Sequence, residues 1–300
     1  MKNLKTILTI TLLGVGFIAF GQSYTFKVMA NKGTNQVKSG TDWQPLKTGT
    51  SLKSTDELKI SENAYLGLIH SGGKTLEWRD AGTFKVSDLA AKVGSGTSVT
   101  AKYADFLASK MSAEGKKNRL SATGAVHRAL SDAAINVNIP NSGQVYAETA
   151  IIRWDPIEGD NIVYKVTVTD MFEEPLVSEE TTDTFFELNL SDGKMEGQNV
   201  VLLMVTTAED EDVKSGTYAI KKLPGEDKKK VEAGLGDLMT DISEQTALNK
   251  YILAGFYEEN NLLIDALTSY EQAITLAPEI DTYKEAYEDF LIRNGLKQGN

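Results

Sequence analysis

Two histidines, His70 and His127, are the groups in this chain that could move a proton near neutral pH. His70 stands just before "SGGK" and His127 lies within "GAVHRAL". A histidine base works on a nucleophile or metal held at a set spacing, and no serine elbow or metal-ligand spacing surrounds either ring. Both are expected to be surface or packing residues. The run "AEDEDVK" gathers Glu209, Asp210, Glu211 and Asp212, oxygen ligands of the kind calcium takes. A dedicated calcium loop spaces its acids around a glycine, so the expectation is a solvated acidic turn. "EDKKK" (226–230) offers either a docking patch for an acidic partner or a helix start with acids at the positive end of its dipole. No G-x-G-x-x-G follows a strand pattern and no G-x-x-x-x-G-K-[ST] occurs, so nucleotide binding has no support. With no cysteine, thiolate metal sites, disulfides, cysteine nucleophiles and a lipid-modified cysteine are all excluded. The residues point away from an enzyme and imply no cofactor or metal.

The elements around these residues begin with an address. Residues 1–21 carry Lys2 and Lys5, an apolar stretch "TILTITLLGVGFIAF" and small residues Ala19 and Gly21. That order is expected for a cleaved signal peptide. An uncleaved anchor is the alternative, although a helical span takes roughly 20 apolar residues. The 300 residues are 41% hydrophobic and 24% charged, enough to build folded cores. The net charge is −11, and removal of the two signal lysines makes it −13. Such a chain repels phosphate backbones and anionic lipid surfaces, which removes nucleic acid from its partners.

Residues 23–93 carry short, closely spaced strand patterns: "YTFKVMA", "TDELKIS", "AYLGLIH", "KTLEWRD" and "GTFKVSDL". In the third, Leu66, Leu68 and His70 share one face, and Tyr65, Gly67 and Ile69 share the other. "HSGGK" is expected as a hairpin turn, because Gly72 and Gly73 accept positive φ. A bulky residue before "PLKTGTSL", then an acidic turn, then a strand pair closed by glycines resembles the small β domain of FecR-like proteins of bacterial envelopes. The resemblance implies a β-barrel or sandwich interaction domain with no catalytic residues. Residues 94–133 read as a helix and linker, with Val99, Tyr103, Phe106, Leu107 and Met111 at helical spacing, Ser98 as cap, and a basic tail.

Residues 134–223 hold seven strand candidates: "AINVNIP", "AIIRWDP", "NIVYKVTVTD", "EPLVSEE", "DTFFELNL", "NVVLLMVTTA" and "GTYAIKKL". Their regular spacing suits a β-sandwich. Trp154, a turn, and an alternating strand bearing Tyr164 resemble the core of immunoglobulin-like or fibronectin type III domains. "NVVLLMVTTA" lacks the tyrosine those domains usually place there. Residues 228–297 are helical in pattern, opening with a stripe of Val231, Leu235, Leu238, Met239 and Ile242.

Within that end, Ala266, Tyr270 and Ala273 lie four and three residues apart, with Pro278 five beyond, and Leu253, Ala254 and Tyr257 precede them. Over residues 247–280 the spacing resembles one tetratricopeptide repeat. The resemblance implies two antiparallel helices brought close by small residues, with the tyrosines filling the space between. Lys250 stands where that family often has a large apolar residue. Glu232, Gly236 and Met239, one period upstream, are not repeat-like, whereas Tyr287 and Leu291, one period downstream, suit a capping helix. A single repeat buries too little surface alone, so a four-helix terminal domain is expected.

The fold class expected is therefore multidomain: two mostly antiparallel β modules followed by an all-α, repeat-like domain. The expected function is that of an exported, periplasmic or envelope-associated scaffold, binding a protein partner through its β modules and a helical face. The helical face is expected to share little surface with the β modules. The alternative is a carbohydrate- or peptidoglycan-binding envelope protein, stacking Trp43 and Trp78 on sugar faces. An enzyme would need a pocket joining His70 or His127 to carboxylates.

Overall fold

The computed structural model describes residues 24–93, 98–111, 133–242 and 245–297. The segment 1–21 and the linker with Lys116, Lys117, Arg119 and His127 lie outside the described residues, as do the side chains of Ser98 and Val99. A β-rich N-terminal two thirds is followed by a C-terminal bundle of helices.

The first unit holds eight short strands: β1 (Phe26–Lys32), β2 (Gln36–Lys38), β3 (Trp43–Pro45), β4 (Ser51–Leu52), β5 (Glu57–Ile60), β6 (Tyr65–His70), β7 (Thr75–Trp78) and β8 (Gly82–Lys85). They form two antiparallel sheets, ordered β4-β1-β6-β7 and β3-β2-β5-β8. Phe26, Val28, Leu52, Leu58, Leu66 and Leu68 fill the space enclosed. "VSDL", expected to prolong the last strand, instead opens α1 (Val86–Val93). Val86 and Leu89 are three apart and both buried, so the helical period, not alternation, puts them in the core.

Strand β6 is buried on both faces. Leu66 and Leu68 point into the first core, while Tyr65 and Ile69 point into a second, larger one. In β1 a register irregularity between Val28 and Ala30 does the same: Phe26 and Val28 serve one core, Met29 and Ala30 the other. Gly67 lets the two strands approach, since a Cβ there would lie 3.3 Å from that of Ala30.

The second unit packs β10 (Thr149–Arg153) and β13 (Phe185–Asn189) against a five-stranded sheet. That sheet runs in the order β12 (Pro175–Thr181), β11 (Tyr164–Thr169), β14 (Val200–Thr207), β15 (Tyr218–Lys222), β9 (Ser142–Val145). Ile152, Trp154, Tyr164, Val166 and Val168 are buried as their alternation anticipates, with Trp154 edge-on to Tyr164 at 5.4 Å between ring centroids. "AINVNIP" makes only isolated bridges, from Ile135 to Ser215 and from Val137 to Trp154. The side chains of Asn136 and Asn138 hydrogen-bond Asp155 at 3.0 and 3.2 Å, local bonds that compete with a continuous ladder.

Among the described residues there are five further helices: α2 (Ser98–Met111), α3 (Gly225–Met239), α4 (Ala247–Glu259), α5 (Leu263–Leu276) and α6 (Asp281–Arg293). They do not stand apart from the β units, which corrects the expectation of little shared surface. One contiguous core joins Tyr65 and Ile69 of the first unit, Tyr103 and Leu107 of α2, Trp154 and Val166 of the second unit, and the buried faces of α3 to α6. The reason is that each β unit leaves an apolar face or open edge uncovered, and the helices supply the missing cover. A chain cut within residues 112–132 is therefore expected to elute as one complex in gel filtration and to separate only in denaturant. Release of a free N-terminal fragment in native buffer would contradict the shared core.

Candidate functional site

The repeat-like residues lie on or just beyond α4 and α5, two helices that pack on one another. Asn261, in the left-handed region at φ 57°, turns the chain within three residues, so the helices return antiparallel. Leu253, Ala254, Tyr257, Ala266, Tyr270 and Ala273 are all buried, and Pro278 is exposed just beyond α5. Tyr270 sits 5.9 Å from Tyr251, 6.2 Å from Tyr287 and 5.0 Å from Phe290, ring to ring. Tyr257 instead meets Phe256 at 5.3 Å and Tyr146 of the second β unit at 6.3 Å. Tyr251 continues to Tyr283 at 5.4 Å, whose hydroxyl bonds that of Tyr65 at 2.7 Å. Burial raises these phenols far above the ordinary tyrosine range, so they pack and hydrogen-bond in the neutral form.

Around this aromatic array lies a buried ion pair that the spacing of small residues did not announce. Glu258 accepts two bonds from the Arg293 guanidinium, at 2.6 and 2.5 Å, and Tyr270 and Asn294 also donate to it, at 3.3 and 3.4 Å. Burial works against the Arg293 charge, but Glu258 and Tyr270 outweigh it and hold its pKa above the usual value.

Both helices are covered almost all round. Every residue of α4 from Ala247 to Tyr257 is buried except Lys250, which is half-buried, and α5 is buried without a break from Ile264 to Glu271. Burial lowers the Lys250 pKa. On one side, Thr75 donates to Asn249 at 2.6 Å and the Leu248 N–H donates to Glu77 at 2.8 Å, so a carboxylate from β7 caps the start of α4. On another side α2 lies so close that a Cβ on Gly255 would meet Leu107 at 2.8 Å. On a third, α5 seals the open edge of β10. The N–H groups of Tyr146 and Ala147 donate to Asp265 at 2.9 and 2.7 Å, that of Ile151 to Thr268 at 2.9 Å, and Arg153 to Glu271 at 2.5 and 2.9 Å. Asp265, Thr268 and Glu271 recur every three residues along the buried middle of α5. That stripe was the available signal for a helix lying along a strand edge.

The tightness of the α2 contact is measurable. Gly255→Val is expected to destabilise the chain by about 1–3 kcal/mol through overpacking. Gly236→Ala, on an open helical surface, is expected to stabilise by roughly 0.5–1 kcal/mol. Urea unfolding of both variants checks the pair, and a neutral Gly255→Val would count against the close approach.

The other described residues singled out by type lie on separate elements. His70 is half-buried, its Nδ1 accepts from the Gly72 N–H at 3.0 Å, and its ring stands edge-on to Phe26 at 5.2 Å. Burial lowers its pKa, so it is a neutral hairpin-packing residue. In the acidic turn, Asp210 accepts from the Asp212 N–H at 3.0 Å and Glu211 pairs with Lys165 at 2.7 Å. Among the described residues, no group of three or more His, Cys, Asp or Glu side chains is placed to hold a metal ion. "EDKKK" opens α3, where Lys230 pairs with Asp227 at 3.0 Å. Lys228 lies over the Tyr146 ring at 6.0 Å and borders an open cleft of about 440 Å³ shared with Glu196 and Lys222. Trp78 is half-buried and turns onto Phe84 of the first core, with centroids 5.1 Å apart. Trp43 sits on edge strand β3 of the opposite sheet, beneath Lys38 at 5.9 Å. The two tryptophans thus form no side-by-side platform.

No family model matches this chain, and no curated protein matches it. Among the described residues, no helix is long and apolar enough to cross a membrane.

Proposed function

We propose that this chain is a non-enzymatic recognition protein of the bacterial envelope, exported through residues 1–21, in which the helices serve as an internal hub. The observation that carries this reading is the burial of α4 and α5 against both β units and α2. Helices covered almost all round offer a partner little, so recognition falls to the exposed loops and edges of the β units. A FecR-like assignment of the first unit is supported by its two small stacked antiparallel sheets. An immunoglobulin- or fibronectin-like assignment of the second is supported by its strand order, with β10 and β13 on one sheet and β12-β11-β14-β15 on the other. The antiparallel α4–α5 crossing supports a tetratricopeptide-type unit. The unit is used here as mortar and not as a docking groove.

The experiment is capture from an envelope extract with the tagged full chain, quantified by mass spectrometry. The expected result is enrichment of a protein partner that survives nuclease and glycosidase treatment. Retention on purified peptidoglycan with no protein enriched would replace this reading with the carbohydrate-binding one. Intact-mass measurement of the native protein is expected to show loss of the first ~20–22 residues.

A further inference from the structure

The hairpin between β11 and β12 ends in Met171 and Phe172, which are 65% and 86% exposed. Apolar side chains this large are ordinarily withdrawn from water, and these two touch neither core. Their turn is not slack. The Asp170 carboxylate accepts from the N–H groups of Phe172 and Glu174, at 2.8 and 3.0 Å. The backbone of Asp170 donates to Glu174 at 3.0 Å and accepts from Glu173 at 3.2 Å. Glu173 is held in the left-handed region at φ 66°, a conformation a glutamate adopts only where its surroundings fix it. The tip is thus a hydrogen-bonded mount that presents an aromatic and a thioether outward.

Its surroundings are acidic. Residues 134–223 contain 17 acidic and 6 basic side chains, whereas residues 24–93 contain 7 and 10. Exposed Glu173, Glu174, Glu179 and Glu180 stand on the tip and along β12, the free edge of the five-stranded sheet. Carboxylates on an edge strand also discourage pairing with another sheet, and that function needs no exposed phenylalanine.

We propose that the Met171–Phe172 tip is the anchor by which this protein binds its partner, and that it inserts into an apolar pocket of a protein rimmed by lysine or arginine. The proposal rests on the recognition reading above and names its surface. A rigid aromatic anchor loses little conformational entropy on binding, which is where such residues gain their weight in interfaces. The carboxylates beside it select the rim: they repel anionic lipid headgroups and an equally acidic surface, and they steer a basic one.

The test places the photo-crosslinker p-benzoyl-phenylalanine at position 172 of the full chain in native cells. Position 158 is the control, exposed on the loop that enters the other end of β11. The expected result is an adduct at 172 and not at 158, on one protein, through a peptide combining apolar residues with Lys or Arg. With that protein purified, Phe172→Ser is expected to weaken binding at least about tenfold. Half-molar salt is expected to weaken it further, while circular dichroism and melting of the variant stay unchanged. An adduct on a second copy of this chain, an adduct of lipid mass, a peptide without basic residues, or no adduct above the control each overturns the proposal. If position 172 fails while the whole chain still captures a protein, only the anchor is wrong. If neither yields a partner, the recognition reading itself falls.

Discussion

Replacing Glu258 by alanine is expected to destabilise the chain by about 3–5 kcal/mol, the range for removing one partner of a buried ion pair. The Arg293 side chain is 15% exposed and that of Glu258 is 6% exposed, so water cannot replace the lost carboxylate. Arg293 would keep its contact with the Tyr270 hydroxyl at 3.2 Å and its place over the Phe290 ring at 5.6 Å, neither of which neutralises it. The double variant Glu258→Ala with Arg293→Met removes the stranded charge and is expected to recover a large part of the loss. Urea unfolding at neutral pH distinguishes these outcomes. A cost below about 1 kcal/mol, the value for an exposed pair, would show that the site is wetter than its burial implies.

The second large effect depends on pH. Burial pushes the Asp265 carboxyl from 3.8 up to about 6, against the opposing pull of the Tyr146 and Ala147 N–H groups. A carboxyl that holds its proton more tightly when folded adds stability below its unfolded pKa, and loses it as pH rises through the folded one. That contribution is roughly 3 kcal/mol when full, at pH below about 4. Between pH 7.5 and pH 5 it amounts to roughly 1.4 kcal/mol. Wild type should therefore gain stability relative to Asp265→Asn as pH falls across that interval, measured by urea unfolding at the two pH values. Parallel curves would mean that the two backbone donors, and not burial, set the Asp265 proton affinity.

Legibility followed the range of the physics. The alternation of Leu66 and Leu68 against Tyr65 and Ile69 was plain in the sequence, because side-chain direction in a strand is a local matter of period two. That both faces would be buried was not plain, since the second face is covered by helices from residues near 250 and 280. The burial of Ala266 and Ala273 on α5 follows a helical period that is equally local. What surrounds α4 and α5 is long-range: Glu77 on β7 caps α4, and Leu107 of α2 presses on Gly255. Strand β9 was missed because "SGQV" offers little apolar pattern. Its Gly143 is explained by Ile264 and Pro140, whose Cδ1 and Cγ would lie 2.8 and 2.9 Å from a Cβ there. The Met171–Phe172 tip was readable as a turn, but exposure is a property of the finished fold.

The hydroxyl contact between Tyr65 and Tyr283 spans 218 positions of sequence. At roughly 5–20 residues per second, synthesis takes on the order of ten to forty seconds to cover that distance. Throughout that interval the first sheet can form its hairpins, yet Met29, Ala30, Tyr65 and Ile69 have only α2 to lie against and lack the cover of α4 and α6. Non-local contacts of this kind slow folding, because the chain must be closed before they return any energy. A nascent chain that stalls before α6 carries that apolar face, incompletely covered, into a crowded medium. The seal on the first strands is made by residues 218 positions downstream, so the hazard of misassociation is greatest for chains that lack α6.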